Sequence, residues 1–234
     1  MSSTNIYFFT IDSDAAHTLC SEMLAHYGLT WEHQSSGARI SGERLDEFVQ
    51  WVQGFFGSSV AVGDSLESIA FSRLKTLKLK LATAESCTGG LLAYYFTSLS
   101  GISEVFLGGV ISYANTIKEQ LLDVRTTTLE DFGAVSEQVV AQMLSGALKH
   151  FGADVAIASS GVAGPNGGSA LKPVGTVFLG VQVAGKAPCI EHHFFEPHTS
   201  SHASIHAAKG VLSPRQSIQD QACTKAIEIL LKNI

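Results

Sequence analysis

The sequence predicts an α/β protein: a three-layer α/β/α domain with a mixed, mostly parallel sheet, preceded by a small α+β domain. Three observations predict it. From residue 79 onward, short apolar runs alternate with helical patterns, the rhythm of parallel strands joined by crossover helices. Two β-rich runs, 174–183 and 189–195, follow one another closely through Gly185 and add a hairpin, which makes the sheet mixed. The 234 residues are 45% hydrophobic and 15% charged, enough apolar chain for a large dry core and enough length for one full domain and a small one.

The first 63 residues read as the small domain. Residues 6–11 form a β-rich run, and 14–27 have helical spacing ending at Gly28. Residues 29–40 read as one or two short strands. Leu45, Phe48, Val49 and Val52 mark an amphipathic helix that stops near Gly54, and 60–62 can close the sheet. The lone histidines His17, His26 and His33 read as solvated or packed side chains. The second domain, 64–234, opens at Asp64-Ser65-Leu66-Glu67, a helix start. Strands are expected over 79–84, 105–113 and 155–160. Helices are expected over 89–98, over 116–122 capped by Asn115, over a long stretch capped by Ser136 and ended by Gly152, and from about Ser217 to Leu231.

A formal charge of −6 argues against a nucleic-acid or anionic-membrane binder, since both need basic surface. The first ten residues lack the basic and apolar segments of a signal peptide, and no apolar run approaches the ~20 residues that span a bilayer. Cys20, Cys87, Cys189 and Cys223 are scattered without C-x-x-C spacing, so neither a disulfide framework nor a structural zinc site is expected. These features describe a soluble protein of a reducing, cytoplasmic compartment.

Ligands of such sheets bind at loops leaving the carboxyl ends of strands, and three loops carry the unusual residues. In Ala84-Glu85-Ser86-Cys87-Thr88-Gly89-Gly90, a serine sits on a strand-to-helix turn, where the first helical amides suit a phosphate or a developing oxyanion. Gly89 and Gly90 allow backbone to approach a ligand. The competing reading is a tight packing turn with Thr88 as helix cap. Cys87 is a rival nucleophile whose side chain should point away from that of Ser86 and pack. In the second loop, residues 112–118, Lys118 falls in the first turn of a helix, where the dipole opposes a cation and lowers its pKa, as a general base requires. A serine with a lysine base is a known activated nucleophile; a solvated surface lysine is the alternative. The third, residues 159–168 followed by Lys172-Pro173-Val174-Gly175-Thr176, has more glycine than a connection needs and suits a backbone nest around a polar ligand. It matches neither the Walker A nor the dinucleotide pattern.

Together AESCTGG, FLGGVISYANTIKEQLLDV, GAVSEQVV, SSGVAGPNGG and KPVGTV, in this order from about residue 77 to 183, resemble the CinA C-terminal family. That family comprises nicotinamide-mononucleotide deamidases and the matching domain of competence/damage-inducible CinA proteins. The resemblance implies an amidohydrolase that converts nicotinamide mononucleotide to nicotinate mononucleotide and ammonia with no metal or organic cofactor. It implies Ser86 as nucleophile, Lys118 as its base and Tyr113 as an assisting residue. Thr88, Gly89, Gly90, Ser160, Gly161 and Gly164 would line the substrate, and Arg215 would grip the phosphate through its bidentate fork. A homodimer is the family expectation for assembly.

Two departures stand out. Gln219 occupies a position where the family usually has a second basic residue. The stretch 196–212 is longer than the usual connection and holds His198, His202 and His206 four apart, with His192 and His193 nearby. A metal site there is conceivable, although no carboxylate or cysteine completes it; a flap or an interface loop fits better. The N-terminal pattern and its Phe55-Phe56-Gly57 exit are similar to the KH-like linker of CinA proteins. Without a G-x-x-G loop no RNA binding is expected, and a role in dimerisation or in covering the site remains. The alternative function is a non-catalytic or weakly active nucleotide-binding module, against which the joint presence of Ser86, Tyr113 and Lys118 argues. A phosphotransferase lacks the acidic ligands for magnesium.

Overall fold

The structure is a computed structural model that describes residues 2–34, 37–197 and 212–234. Two compact units divide the chain, Met1–Ile69 and Ala70–Ile234. In the first, β1 (Ser2–Phe8), α1 (Ser13–Tyr27), β2 (Thr30–Gln34), β3 (Gly37–Gly42), α2 (Leu45–Phe56) and β4 (Val60–Gly63) build an antiparallel sheet in the order β2-β3-β1-β4. This is the doubly split β-α-β arrangement. Asp12 caps α1 by accepting from the Ala15 amide, and Gly28 closes it in the left-handed conformation. Ile6, Phe8, Cys20, Ile40, Phe48 and Val52 form the core between helices and sheet. Helix α2 runs through Gly54 to Phe56, past the stop expected from glycine: Phe48, Trp51 and Phe55 stack along its face and Phe56 packs edge-on against Phe8 of β1, so packing overrides the local cost. The Tyr7 hydroxyl is pushed up to about 12, chiefly by burial and then by the Glu67 carboxylate.

Helix α3 (Leu66–Leu77) crosses the division, so the second compact unit starts six residues after the boundary expected at 63/64. A reciprocal pair at its start, Ser65 and Ser68, makes the cap: each backbone amide donates to the other's hydroxyl.

The second unit contains β5 (Leu81–Glu85), α4 (Leu91–Thr97), β6 (Phe106–Ile111), α5 (Asn115–Leu122), α6 (Thr126–Phe132), α7 (Glu137–Phe151), β7 (Val155–Gly161), β8 (Thr176–Val183), β9 (Cys189–Phe194) and α8 (Pro214–Asn233). Its sheet has the order β6-β5-β7-β8-β9, with β6, β5 and β7 parallel and β8 antiparallel to both neighbours. Only β8 therefore runs against the rest. Alternation sorts the buried residues of β5 and β7. Ala82, Ala84, Ala156 and Ala158 face α7 with Val139, Val140, Met143 and Leu144. Leu81, Thr83, Glu85, Val155, Ile157 and Ser159 face the other layer, where α4 and α8 pack. Small alanines let α7 lie close, and Gly146 is required on it, because a Cβ there would stand 2.1 Å from the Leu122 carbonyl oxygen.

Three helix starts differ from expectation. Asn115 is the first residue of α5 and Ala114 its N-cap, with no side-chain cap bond. Helix α8 begins at Pro214 on a capping box of Ser213 and Gln216, earlier than the Ser217 start expected. Helix α6, three threonines at its head, carries no periodic signal; it is held from outside, by the Gln142 amide donating to Thr128 and accepting from the Arg125 amide.

Candidate active site

The loop after β5 is short because both its ends are fixed. The Ser86 amide continues the strand by donating to the Ser159 carbonyl at 3.0 Å. The Glu85 side chain, 1% exposed, turns under the loop. It accepts from the Thr88 hydroxyl at 2.7 Å and from the amides of Gly90, Leu92 and Ala93 at 2.9, 3.1 and 2.8 Å. This overturns two expectations. The first amides of α4 do not face a ligand, since the chain's own carboxylate takes them. Nor does Thr88 cap the helix: it is buried, and its hydroxyl bridges Glu85 to Ser159, 2.7 Å away. The loop amides of Cys87 and Thr88 are left without an oxygen acceptor among the described residues.

Ser86 is half-buried, and Lys118 Nζ lies 3.2 Å from its Oγ. The lysine is 1% exposed, which excludes the solvated-surface reading. Its other polar partner is the Ser112 carbonyl, at 2.6 Å. Ser112 is itself fixed, its amide and hydroxyl both donating to the Glu85 carbonyl at 2.7 and 3.1 Å. No carboxylate comes within ion-pair reach of Lys118 among the described residues. Burial lowers its pKa from the ordinary lysine range, the charged form losing hydration. A lysine held by a serine and a carbonyl, without a counter-charge, is suited to accept a proton. Cys87 is buried against Ser159, with which its thiol hydrogen-bonds, and desolvation pushes that thiol up to about 12.

Arg215, on the first turn of α8, joins the other two loops. It donates to the Gly164 carbonyl at 2.6 Å and to the Tyr113 hydroxyl at 2.8 Å. Tyr113 is 63% exposed, and its hydroxyl is paired with this guanidinium rather than with Ser86 or Lys118. Gly89 is exposed and Gly90 partly so, each with a positive φ. Ser160 is fully buried and donates to the Ala134 carbonyl at 2.7 Å, so its proton is committed within the chain. Gly161 and Gly164 are required by close packing: a Cβ would stand 2.7 Å from the Thr176 carbonyl oxygen at one and 2.5 Å from Val174 at the other. The glycines of this loop thus fold it upon its own return path. Among the described residues no three His, Cys, Asp or Glu side chains gather as a metal-binding group. His198, His202 and His206 lie outside those residues.

Residues 63–213 match the CinA C-terminal domain family, more than half of the chain. The chain belongs to that family. A CinA-like protein of Chlorobium limicola is 51% identical over 127 residues, 54% of this chain and 29% of that protein. One from Thermotoga maritima is 45% identical over 141 residues, 59% of this chain and 35% of that protein. The chain spans about a third of the length of these curated relatives. Among solved structures, a competence/damage-inducible protein from Agrobacterium tumefaciens matches with a TM-score of 0.62 and 36% identity, over 72% of this chain and 94% of that one. A CinA superfamily protein from Escherichia coli matches with a TM-score of 0.62 and 30% identity, over 72% and 88%.

In this CinA-type site, residue-by-residue reading missed Glu85, Ser112 and Ser159. All three are fully or almost fully buried polar residues, Glu85 ending β5, Ser112 following β6 and Ser159 within β7. A glutamate directly before the serine, the one charged residue of β5, was the available signal. Gln219, noted as a departure, donates to the Cys87 carbonyl at 2.8 Å, so the position serves the Ser86 loop.

Proposed function

We propose that this protein is an amidohydrolase that deamidates nicotinamide mononucleotide, with Ser86 as nucleophile and Lys118 as general base. The single observation that carries the reading is the buried, counter-charge-free amine of Lys118 at 3.2 Å from Ser86 Oγ. A binding module has no use for such a pair, whose burial is costly. Ser86 Oγ attacks the carboxamide carbon while its proton passes to Lys118 Nζ. The oxygen of the tetrahedral adduct gathers negative charge, and the amides of Cys87 and Thr88 are the donors available to it. Collapse breaks the C–N bond; Lys118 returns the proton and ammonia leaves. Water, deprotonated by the same amine, then cleaves the ester and frees Ser86. The cationic pyridinium ring draws electrons from the amide and makes it a better electrophile. Arg215, at the junction of Gly164 and Tyr113, is the cation placed to take the phosphate. Free thiols at Cys20, Cys87, Cys189 and Cys223 support a reducing, cytoplasmic setting.

The test is ammonia release from nicotinamide mononucleotide by the purified protein and by Ser86→Ala, each with and without chelator. We expect chelator-resistant release by the wild type and none above background from the variant. Mononucleotide binding without turnover would replace the enzyme by the non-catalytic module, and chelator-sensitive turnover would bring the histidine segment into the mechanism.

A further inference from the structure

We propose that Glu85, Thr88 and Ser159 form a buried clamp that aims the Ser86 loop, so that Glu85 and Thr88 are positioning residues rather than substrate contacts. The inference rests on Ser86 being the nucleophile. The three side chains are 1%, 2% and 0% exposed, too deep to meet a ligand above the loop. The Glu85 oxygens accept the Thr88 hydroxyl and the helix-start amides, so the hydrogen bonds have one direction. Ser159 Oγ–H donates to Thr88 Oγ1, whose own proton goes to Glu85 Oε2, both across 2.7 Å. The Gly90, Leu92 and Ala93 amides close on the same carboxylate from the helix side.

The clamp joins two neighbouring strands and a helix start, leaving Ser86 and Cys87 as a two-residue span between fixed ends. Fixing that span has two consequences for reactivity. Ser86 Oγ is held within reach of Lys118, whose anchoring carbonyl, that of Ser112, hangs on the Glu85 backbone. The three helix amides, already satisfied, do not compete for the oxyanion, which leaves Cys87 and Thr88 as its donors. Preorganised donors of this kind act on the transition state and not on ground-state binding, which separates a clamp from a substrate contact in kinetics.

The experiment uses the full chain and Thr88→Val, which keeps shape and removes the hydroxyl, with Ser159→Ala as a milder cut at the far end. Two readings are taken per folded molecule: turnover of nicotinamide mononucleotide, and the rate at which an alkyl fluorophosphonate labels Ser86, followed by intact mass. Both rates should fall at least about tenfold in Thr88→Val, as misplaced reacting groups do. KM should stay within about twofold and the Lys118 pH limb should not move. Ser159→Ala should fall in the same direction, by less. A raised KM with unchanged kcat would make Thr88 a substrate contact and overturn the clamp. Wild-type labelling rates in both variants, or a wild-type Ser86 inert to the probe, would overturn it too. If the probe labels wild type faster than the variants but the mononucleotide is not turned over, the clamp stands and only the substrate assignment falls.

Discussion

Helix α4 begins on a buried carboxylate, whereas α5 begins with no side-chain cap and carries a buried amine in its fourth position. The two starts flank the same serine. An N-terminal helix end offers unpaired amide donors and a partial positive charge; at α4 the Glu85 side chain accepts those donors, and at α5 such an end works against a cation on Lys118. For Lys118 burial is what lowers the pKa. One end of the site is thus satisfied and rigid, and the other is held in a state that favours a neutral base. A helix terminus beside the proposed nucleophile is therefore not necessarily an anion site. What occupies its amides inside the chain decides.

Removing the amine tests the second half of this contrast and should give the largest effect. Lys118→Met keeps the length and apolar stem of the side chain while deleting the base, and turnover should fall by about a thousandfold. The same variant should be the more stable protein near neutral pH, because it no longer buries a group that prefers to be charged. The pH dependence distinguishes this from ordinary repacking. With its pKa lowered on folding, Lys118 binds more protons in the unfolded chain than in the folded one, throughout the interval between the lowered value and the ordinary lysine value near 10.4. Wild-type stability should therefore gain with rising pH across that interval. Lys118→Met should lack this gain, so its melting-temperature advantage should shrink as pH rises. The rate kcat/KM of the wild type should climb with pH up to the lowered value, where the folded amine loses its proton, and level off above it. A variant that melts lower than wild type at neutral pH, or a flat rate profile, would break the contrast.

Glu85→Gln tests the other helix start. The amide can still accept through one oxygen, but its NH2 group meets amide and hydroxyl donors, leaving buried groups unpaired. We expect a loss of about 2–3 kcal/mol in denaturant unfolding and a kcat lower by about a hundredfold. Near-native stability would show that α4 does not depend on this carboxylate.

The layers of the fold were legible because β-strand and helix periodicities were strong. Val139, Val140, Met143, Leu144 and Ala147 all lie on the buried stripe of α7, and Ser136 caps it as its side chain allows. Helix α6 was illegible, since its start is satisfied by Gln142 from a neighbouring helix and no local pattern records that. The Ser86–Lys118 pair was legible by motif, and the residues that hold it were not. Ser112 and Ser159 act through buried bonds between segments distant in sequence, of which spacing carries no trace, and Glu85 left only its place before the serine. Thr88 shows the converse error: a hydroxyl in a suggestive loop was read as ligand-facing, while its bonds to Glu85 and Ser159 turn it inward.

The smallest effect sharpens the contrast most finely. Gln219 donates to the Cys87 carbonyl from α8, a second hold on the Ser86 loop besides the clamp. Its amide stands 3.7 Å from where a Cβ on Gly89 would lie, so it borders the exposed part of the loop. Gln219→Ala removes one neutral hydrogen bond to a backbone carbonyl and should cost about 1 kcal/mol in stability. Its kinetic signature depends on which role the position plays. If Gln219 only steadies the loop, kcat should fall a few-fold, about as much as 1 kcal/mol allows, with KM unchanged. If it also touches the nucleotide, KM should rise. Gln219→Lys separates the two: a cation here should lower KM for a phosphorylated substrate by charge alone, while placing no donor in the amide's geometry on Cys87. A lysine variant with lower KM and lower kcat together would show that this site holds its loop with a bond where a basic residue would hold the ligand.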